Sequence, residues 1–187
     1  MKLLILSALP SELDGARAPA GARIIFTGLG KVKAASLTTE AILEDRPGLI
    51  VNYGSAGRIN GSLEGVHEIA KVVQRDMTTE PIAPRGVTPF SPDPPAYFSG
   101  FGTAVCGTGD SFVTAADPWL VETGVDLVDM ELFAIAYVCN RFGVPWRAFK
   151  YLSDDANHEA AEHWEQNVSL GEDLFWNLLD GALAGRS

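Results

Sequence analysis

The chain of 187 residues has no long apolar run and carries little positive charge. No apolar segment approaches the roughly 18 residues that a membrane-spanning helix needs, so we expect no membrane association. Lys and Arg number 14 against 24 Asp and Glu, which gives a formal net charge of −10. Because phosphate backbones and anionic lipids are bound by clustered Lys and Arg, this balance argues against nucleic acid as a partner and favours a small-molecule ligand.

Cysteine is scarce as well, and the start of the chain does not have the composition of a secretory signal. Cys106 and Cys139 are too few for a disulfide framework and stand among apolar residues, which predicts two buried structural thiols. The apolar start of the chain is interrupted by Glu12 and Asp14, too early for a signal peptide. These observations predict a cytoplasmic protein.

Length and composition predict a single folded domain over residues 1–187. Hydrophobic residues make up 47% and charged residues 20%, the balance of a folded globule rather than of a disordered chain. Short apolar runs predict strands at 2–6, 23–26, 49–51, 66–73, 103–106, 125–128 and 148–152, and helices are predicted at 31–45, 115–123, 130–142 and 158–183. Strands that alternate with helices predict an α/β fold with a largely parallel sheet.

One segment, 76–100, departs from this alternation because it is rich in proline. Proline removes backbone donors and ends regular elements, which predicts a loop. The loop also carries the large apolar residues Met77, Ile82, Val87, Phe90, Tyr97 and Phe98. Because leaving them in water is costly, we expect a second subunit to cover them in a homodimer. The alternative is that the loop folds back on its own domain as a lid.

Carboxylates follow three of the predicted strands. Glu12 lies after the first strand, Glu131 lies between the strand at 125–128 and the next helix, and Asp154 follows the strand at 148–152. Since ligands of such sheets bind at the carboxyl ends of strands, the three acids could meet in one pocket. Convergent carboxylates suit hydrolytic acid–base chemistry, whereas each acid alone is more often a helix cap or a surface group.

Five short motifs resemble those of the purine nucleoside phosphorylase/nucleosidase superfamily. Asn-Tyr-Gly-Ser-Ala-Gly at 52–57 is similar to its Asn-x-Gly-Ser-Ala-Gly loop, and Ser-Asp-Asp-Ala-Asn at 153–157 to its Ser-Asp-x-Ala-Asp motif. The other three matches are Gly-Leu-Gly-Lys-Val at 28–32, Gly-Asp-Ser-Phe at 109–112, and Met-Glu at 130–131 with Gly-Val-Pro at 143–145. Among the branches of this superfamily, the 5′-methylthioadenosine/S-adenosylhomocysteine nucleosidases resemble the chain most.

The resemblance implies a single-domain three-layer α/β/α sandwich with a mixed, largely parallel sheet, and a role for each acid. Asp154 would protonate the purine as it leaves, Glu131 would bind the ribose hydroxyls, and Glu12 would orient the attacking water. Asp154 would then have to be protonated at neutral pH, which burial of a carboxyl group makes feasible. The further residues implied to contact the substrate are Ser55, Ala56, Phe112, Val113, Met130 and Ser153.

The resemblance thus predicts a purine nucleosidase that uses no cofactor or metal. Two alternatives stay open: a phosphorylase, and a protein that binds nucleosides without catalysis. Phosphorolysis needs cationic groups around phosphate, and Arg58 is the residue that keeps this alternative open.

Two other sequence features are expected to be structural. His158 and His163 stand five positions apart, so on a helix they would point in different directions, and we expect no metal site there. Trp164 and Trp176 are expected to pack in the core.

Overall fold

Eight β-strands form one mixed sheet within residues 2–157 and 159–184, the part of the chain that the computed structural model describes. The strands are β1 (Leu3–Ser7), β2 (Arg23–Phe26), β3 (Leu49–Arg58), β4 (Val66–Gln74), β5 (Ala96–Phe98), β6 (Ala104–Thr108), β7 (Leu127–Asp129) and β8 (Trp146–Asp154). The helices are α1 (Lys31–Asp45), α2 (Pro118–Glu122), α3 (Leu132–Phe142), α4 (Ala160–Asn167) and α5 (Glu172–Ala184), and one 3₁₀ turn lies at Gly15–Arg17.

The sheet is largely parallel, and part of it closes on itself. The strand order is β2-β1-β3-β7-β6-β4-β5, and β8 pairs with both β3 and β4. Five strand pairs are parallel, and the pairs β3–β7, β4–β5 and β4–β8 are antiparallel. The strands β3, β8, β4, β6 and β7 therefore form a closed ring. This closure brings the ends of β3, β7 and β8 together: Gly57 of β3 lies opposite both Val128 of β7 and Asp154 of β8.

Helices cover both faces of the sheet, because its central strands are apolar on both sides. Along β1, Leu4 and Leu6 pack with α1 and α3 on one face, while Leu3 and Ile5 pack with α5 on the other. A strand buried on both faces is a continuous apolar run rather than an alternating one, as β1 is. The mixed α/β fold expected from the sequence is confirmed. Both cysteines are free and buried, as expected.

The sequence-based bounds agree closely with the structure for β2 and α1, but not for every element. The motif at 52–57, expected as a loop, belongs to β3, which continues to Arg58. The single C-terminal helix predicted at 158–183 is divided into α4 and α5. At the start of α5, Gly171 lies against the ring of Tyr151 with no room for a side chain. His158, where that prediction begins, lies outside the described residues.

The proline-rich segment is anchored to its own domain. Its last part forms β5, which pairs with β4 and buries Tyr97, so the prediction of a loop as far as residue 100 is wrong. Arg85 donates to both carboxylate oxygens of Asp117 (3.1 and 2.6 Å), and its Nε donates to the carbonyl of Arg75 at 2.6 Å. Phe90 and Ile82 nevertheless stay 96% and 66% exposed.

None of the helices in the described ranges is long and apolar enough to cross a membrane. The cytoplasmic location expected from the sequence stays a prediction.

Candidate active site

A pocket lies where β3, β7 and β8 end, beside the turn before α1 and the loop after β6. Eight of the nine predicted site residues line it, namely Glu12, Ser55, Ala56, Phe112, Val113, Met130, Glu131 and Asp154. The ninth, Ser153, lies behind Asp154, where its hydroxyl is 2.9 Å from Asp154 Oδ2. Residues that lie more than 140 positions apart in the sequence therefore line the same pocket.

Glu12 is held by a dense set of donors. Its Oε2 accepts hydrogen bonds from the Ser7 hydroxyl (2.9 Å) and from the backbone N–H groups of Ala8 and Leu9 (3.0 Å each). Its Oε1 accepts from the backbone N–H and the hydroxyl of Ser55, at 2.9 and 2.8 Å. Five donors thus hold a carboxyl group that is only 3% exposed, and they fix its orientation in the pocket.

Asp154 has the opposite environment, because it ends β8 in a partly apolar wall of the pocket. Its Oδ1 accepts a hydrogen bond from the backbone N–H of Ala156 at 2.9 Å. Burial raises the pKa of Asp154 above its usual value, and the neighbouring charge of Asp155 adds to the shift, against hydrogen bonds that lower it. Gly57 leaves room for the carboxyl group, since a Cβ there would lie 2.9 Å from Asp154 Oδ1.

Glu131 lies between β7 and α3 and is 6% exposed. Its Oε1 accepts a hydrogen bond from the backbone N–H of Gly30 at 2.8 Å, in the turn that begins α1. Burial, together with the charge of Asp129, raises the pKa of Glu131 to about 7. The turn before α1 is therefore part of the site, because its backbone N–H group is a donor to Glu131.

A buried ion pair underlies these carboxylates. Lys150 Nζ lies 2.8 Å from Asp129 Oδ2, and both side chains are almost wholly inaccessible to solvent. Although burial alone would raise it, the charge of Lys150 holds the pKa of Asp129 below its usual value. Asp129 also accepts from the Thr108 hydroxyl at 2.5 Å and from the backbone N–H of Leu132 at 2.9 Å. The pair therefore connects β6, β7, α3 and β8 beneath the pocket.

Two aromatic side chains close part of the pocket. Phe112, which is 46% exposed, meets Trp164 edge to face, with ring centroids 6.4 Å apart. The indole N–H of Trp164 donates to the Ser55 hydroxyl at 2.8 Å, and that hydroxyl donates to Glu12. The expectation that Trp164 packs in the core is wrong, whereas Trp176 does pack there.

Arg75 fixes the loop that carries Phe112. It is 5% exposed, and it donates to the carbonyls of Gly109 (2.9 Å) and Ser111 and to the Ser111 hydroxyl at 3.2 Å. Gly109 allows this approach, because a Cβ there would lie 2.9 Å from the guanidinium carbon. Arg75 is therefore a support of the pocket wall.

Sequence reasoning does not find Lys150, Arg75 or Trp164 as parts of the site. A lysine at the centre of the buried strand β8 is a usable signal, because an unpaired charge is rarely tolerated in a buried strand. Arg58 does not line the pocket; its Nε donates to Asp155 at 2.7 Å on the other side of Asp154.

Known proteins with similar structures share this fold. The structure of a 5′-methylthioadenosine/S-adenosylhomocysteine nucleosidase from Colwellia psychrerythraea in complex with adenine has a TM-score of 0.77 at 23% identity, covering 90% of this chain and 88% of that one. The futalosine hydrolase of Helicobacter pylori has a TM-score of 0.79 at 22% identity, covering 90% and 91%. At such identities the likeness shows the fold.

The sequence itself identifies the family. A Geobacillus kaustophilus protein named 5′-methylthioadenosine/S-adenosylhomocysteine nucleosidase is 31% identical over 180 residues, which cover 83% of this chain and 74% of the relative. The model of a family described as the phosphorylase superfamily matches residues 21–184, which include every pocket-lining residue of the described ranges except Glu12. The chain therefore belongs to the phosphorylase superfamily.

Proposed function

We propose that this protein is a purine nucleosidase that hydrolyses the N-ribosyl bond of a 5′-modified purine nucleoside such as 5′-methylthioadenosine or S-adenosylhomocysteine. The observation that carries the proposal is the meeting of Asp154, Glu131 and Glu12 in one pocket, each in a different electrostatic environment. The name of the Geobacillus relative supports the choice of substrate.

Asp154 acts as the general acid in this mechanism. A purine leaves a ribose more readily when its N7 is protonated, because the departing base then carries no negative charge. An ordinary aspartate is ionised at neutral pH and has no proton to give. Burial raises the pKa of Asp154, which increases the protonated fraction at the position where the leaving group would lie.

Glu131 and Glu12 act on the sugar and on the water. As the glycosidic bond breaks, the ribose approaches an oxocarbenium ion, which nearby carboxylates stabilise. One oxygen of Glu131 is occupied by the Gly30 N–H, and the other is available for ribose hydroxyls. Glu12 orients water for attack on C1′. The water oxygen then forms the new bond to C1′, its proton leaves to solvent, and the base departs with the proton from Asp154.

The distribution of positive charge favours hydrolysis over phosphorolysis. Phosphate would need several free cationic or backbone donors. Of the pocket-lining residues in the described ranges, Arg75 is the one Lys or Arg, and its terminal nitrogens already bond the loop at Gly109 and Ser111. Arg58 is paired with Asp155 outside the pocket. The acid Glu12 would also repel phosphate where a nucleophile must lie.

Hydrolysis is tested by incubating the purified protein with a panel of purine nucleosides, with and without phosphate. We expect free base and ribose, or its 5′-modified form, at a rate that phosphate does not increase, because the pocket has no free cation for phosphate. Ribose 1-phosphate in the mass spectrum would instead assign a phosphorylase. Nucleoside binding without any product would assign a binding protein.

The Asp154→Asn variant tests the general acid. The amide keeps the shape of the side chain but cannot protonate the base, so kcat should fall about 100-fold or more while nucleoside affinity changes little. The matched control is Asp155→Asn, which alters the neighbouring, more exposed carboxylate. Activity of Asp154→Asn within about threefold of wild type would be incompatible with this role and would make Asp155 the candidate general acid.

We also propose that the protein is a homodimer. The loop at 76–95 is anchored to its own domain through Arg85, yet it leaves Phe90 and Ile82 in solvent, and Phe98 of β5 is 69% exposed. Leaving such side chains wet costs about 25 cal/mol for each Å² of apolar surface. Their burial against a second subunit removes that cost, and it would let one subunit's loop border the 5′ end of its neighbour's pocket.

Sedimentation at micromolar concentration should give a species of twice the 20.0 kDa chain mass. The Phe90→Ala variant should weaken the dimer and raise KM for substrates with bulky 5′ groups. Leu178→Ala removes a 43% exposed side chain from α5 and serves as the control. A single species near 20.0 kDa would refute the dimer. Unchanged KM values in a dimeric Phe90→Ala variant would show that the loop does not border the substrate site.

A further inference from the structure

Asp154 separates the active-site pocket from a second cavity on its far side. Among the described residues that line either space, Asp154 is common to both. The second cavity has a volume of about 500 Å³ and opens to solvent. Since a water molecule occupies about 30 Å³ in the liquid, the cavity has room for a chain of waters that reaches Asp154.

The two oxygens of Asp154 are disposed toward different sides. Oδ1 lies beside Gly57, which lines the active-site pocket, and accepts from the Ala156 N–H at 2.9 Å. Oδ2 lies 2.9 Å from the hydroxyl of Ser153, which lines the second cavity. The carboxyl group is thus positioned to give a proton on one side and to receive one on the other.

Ser153 is able to serve both protonation states of Asp154. Its hydroxyl oxygen lies 2.9 Å from Asp154 Oδ2 and 3.4 Å from the backbone carbonyl of Ala56. When Asp154 is ionised, Ser153 donates its one hydrogen to Oδ2. When Oδ2 carries a proton, Ser153 can donate to Ala56 instead and accept from Asp154.

The second cavity also contains a group suited to supply protons. His163 of α4 lines it, with Arg58 from β3, Glu64 from the loop before β4, and Tyr151 and Asp155 from β8 and the residue after it. Arg58 and Asp155 are paired with each other, and His163 Nε2 lies 3.8 Å from the Glu159 carboxylate. Of these residue types, imidazole is the one that normally gains and loses a proton near neutral pH.

Each turnover of the proposed nucleosidase removes the proton from Asp154. Products in the active-site pocket would lie against Asp154 on that side, whereas the second cavity stays open to solvent. We propose that Asp154 regains its proton through the second cavity, with His163 as the proton donor. An N–H bond of the imidazolium breaks and an O–H bond forms at Oδ2, directly or through a bridging water. Rotation of the carboxyl group about its Cβ–Cγ bond then turns this O–H toward the active-site pocket, where it breaks as the next base is protonated. His163 then takes a proton from solvent. This inference rests on the proposed hydrolysis.

The test compares the first turnover with later ones in His163→Asn. With enzyme in excess, the single-turnover rate should equal that of wild type, because one turnover does not depend on how the proton of Asp154 is renewed. Near neutral pH, where an imidazole still carries its second proton in part, the steady-state kcat should fall about tenfold with KM unchanged, and added imidazole should restore it. The control is His67→Asn, which removes a histidine that bonds the Glu64 carbonyl but does not line the cavity.

Two results would overturn the proposal: an unchanged steady-state rate in His163→Asn, or an equal loss in single-turnover and steady-state rates. The second result would show that His163 affects folding or the chemical step itself. The activity of the wild-type enzyme distinguishes failure of this proposal from failure of the proposed function. If wild type cleaves no nucleoside, the proposed function fails; if wild type cleaves and the His163 variant matches it, only the proton route fails.

Discussion

The buried ion pair between Lys150 and Asp129 is the interaction on which the site depends. Three further acids, Glu12, Glu131 and Asp154, border the same pocket, and Lys150 is the cation that lies beneath them. Gly54 leaves room for Lys150 and Glu12 to approach each other, because a Cβ at that position would lie 3.3 Å from Lys150 Nζ and 3.4 Å from Glu12 Oε1. Burying two charges is costly and a buried pair rarely adds net stability, so its role here is to position the strands that carry the acids.

The three acids that border the pocket differ in their surroundings. Glu12 accepts hydrogen bonds from five donors, whereas burial beside Asp129 raises the pKa of Glu131 to about 7, and burial at the end of β8 raises that of Asp154. Carboxyl groups whose environments differ in this way can act as acid and as charge stabiliser in one reaction. Hydrolysis of an N-ribosyl bond requires that division of roles.

The sequence predicts most of the fold and the position of the acids, because both depend on local patterns. Apolar runs give the strands, and residues just beyond strand ends, such as Asp154, must lie at one edge of a parallel sheet. The ring closure of the sheet depends instead on β8 pairing with both β3 and β4, which no local pattern encodes. Trp164 is wrongly predicted as a core residue for the same reason, because its hydrogen-bond partner Ser55 lies 109 positions away in the sequence.

The central claim is that protonation of the base by Asp154 drives cleavage. It is tested most directly by comparing a cleaved purine nucleoside with its 7-deaza analogue, in which a C–H group replaces N7 and cannot accept a proton. The account predicts that the analogue binds the wild-type protein with similar affinity, inhibits it competitively and is not hydrolysed. Hydrolysis of the analogue at a rate comparable to that of the nucleoside would contradict it.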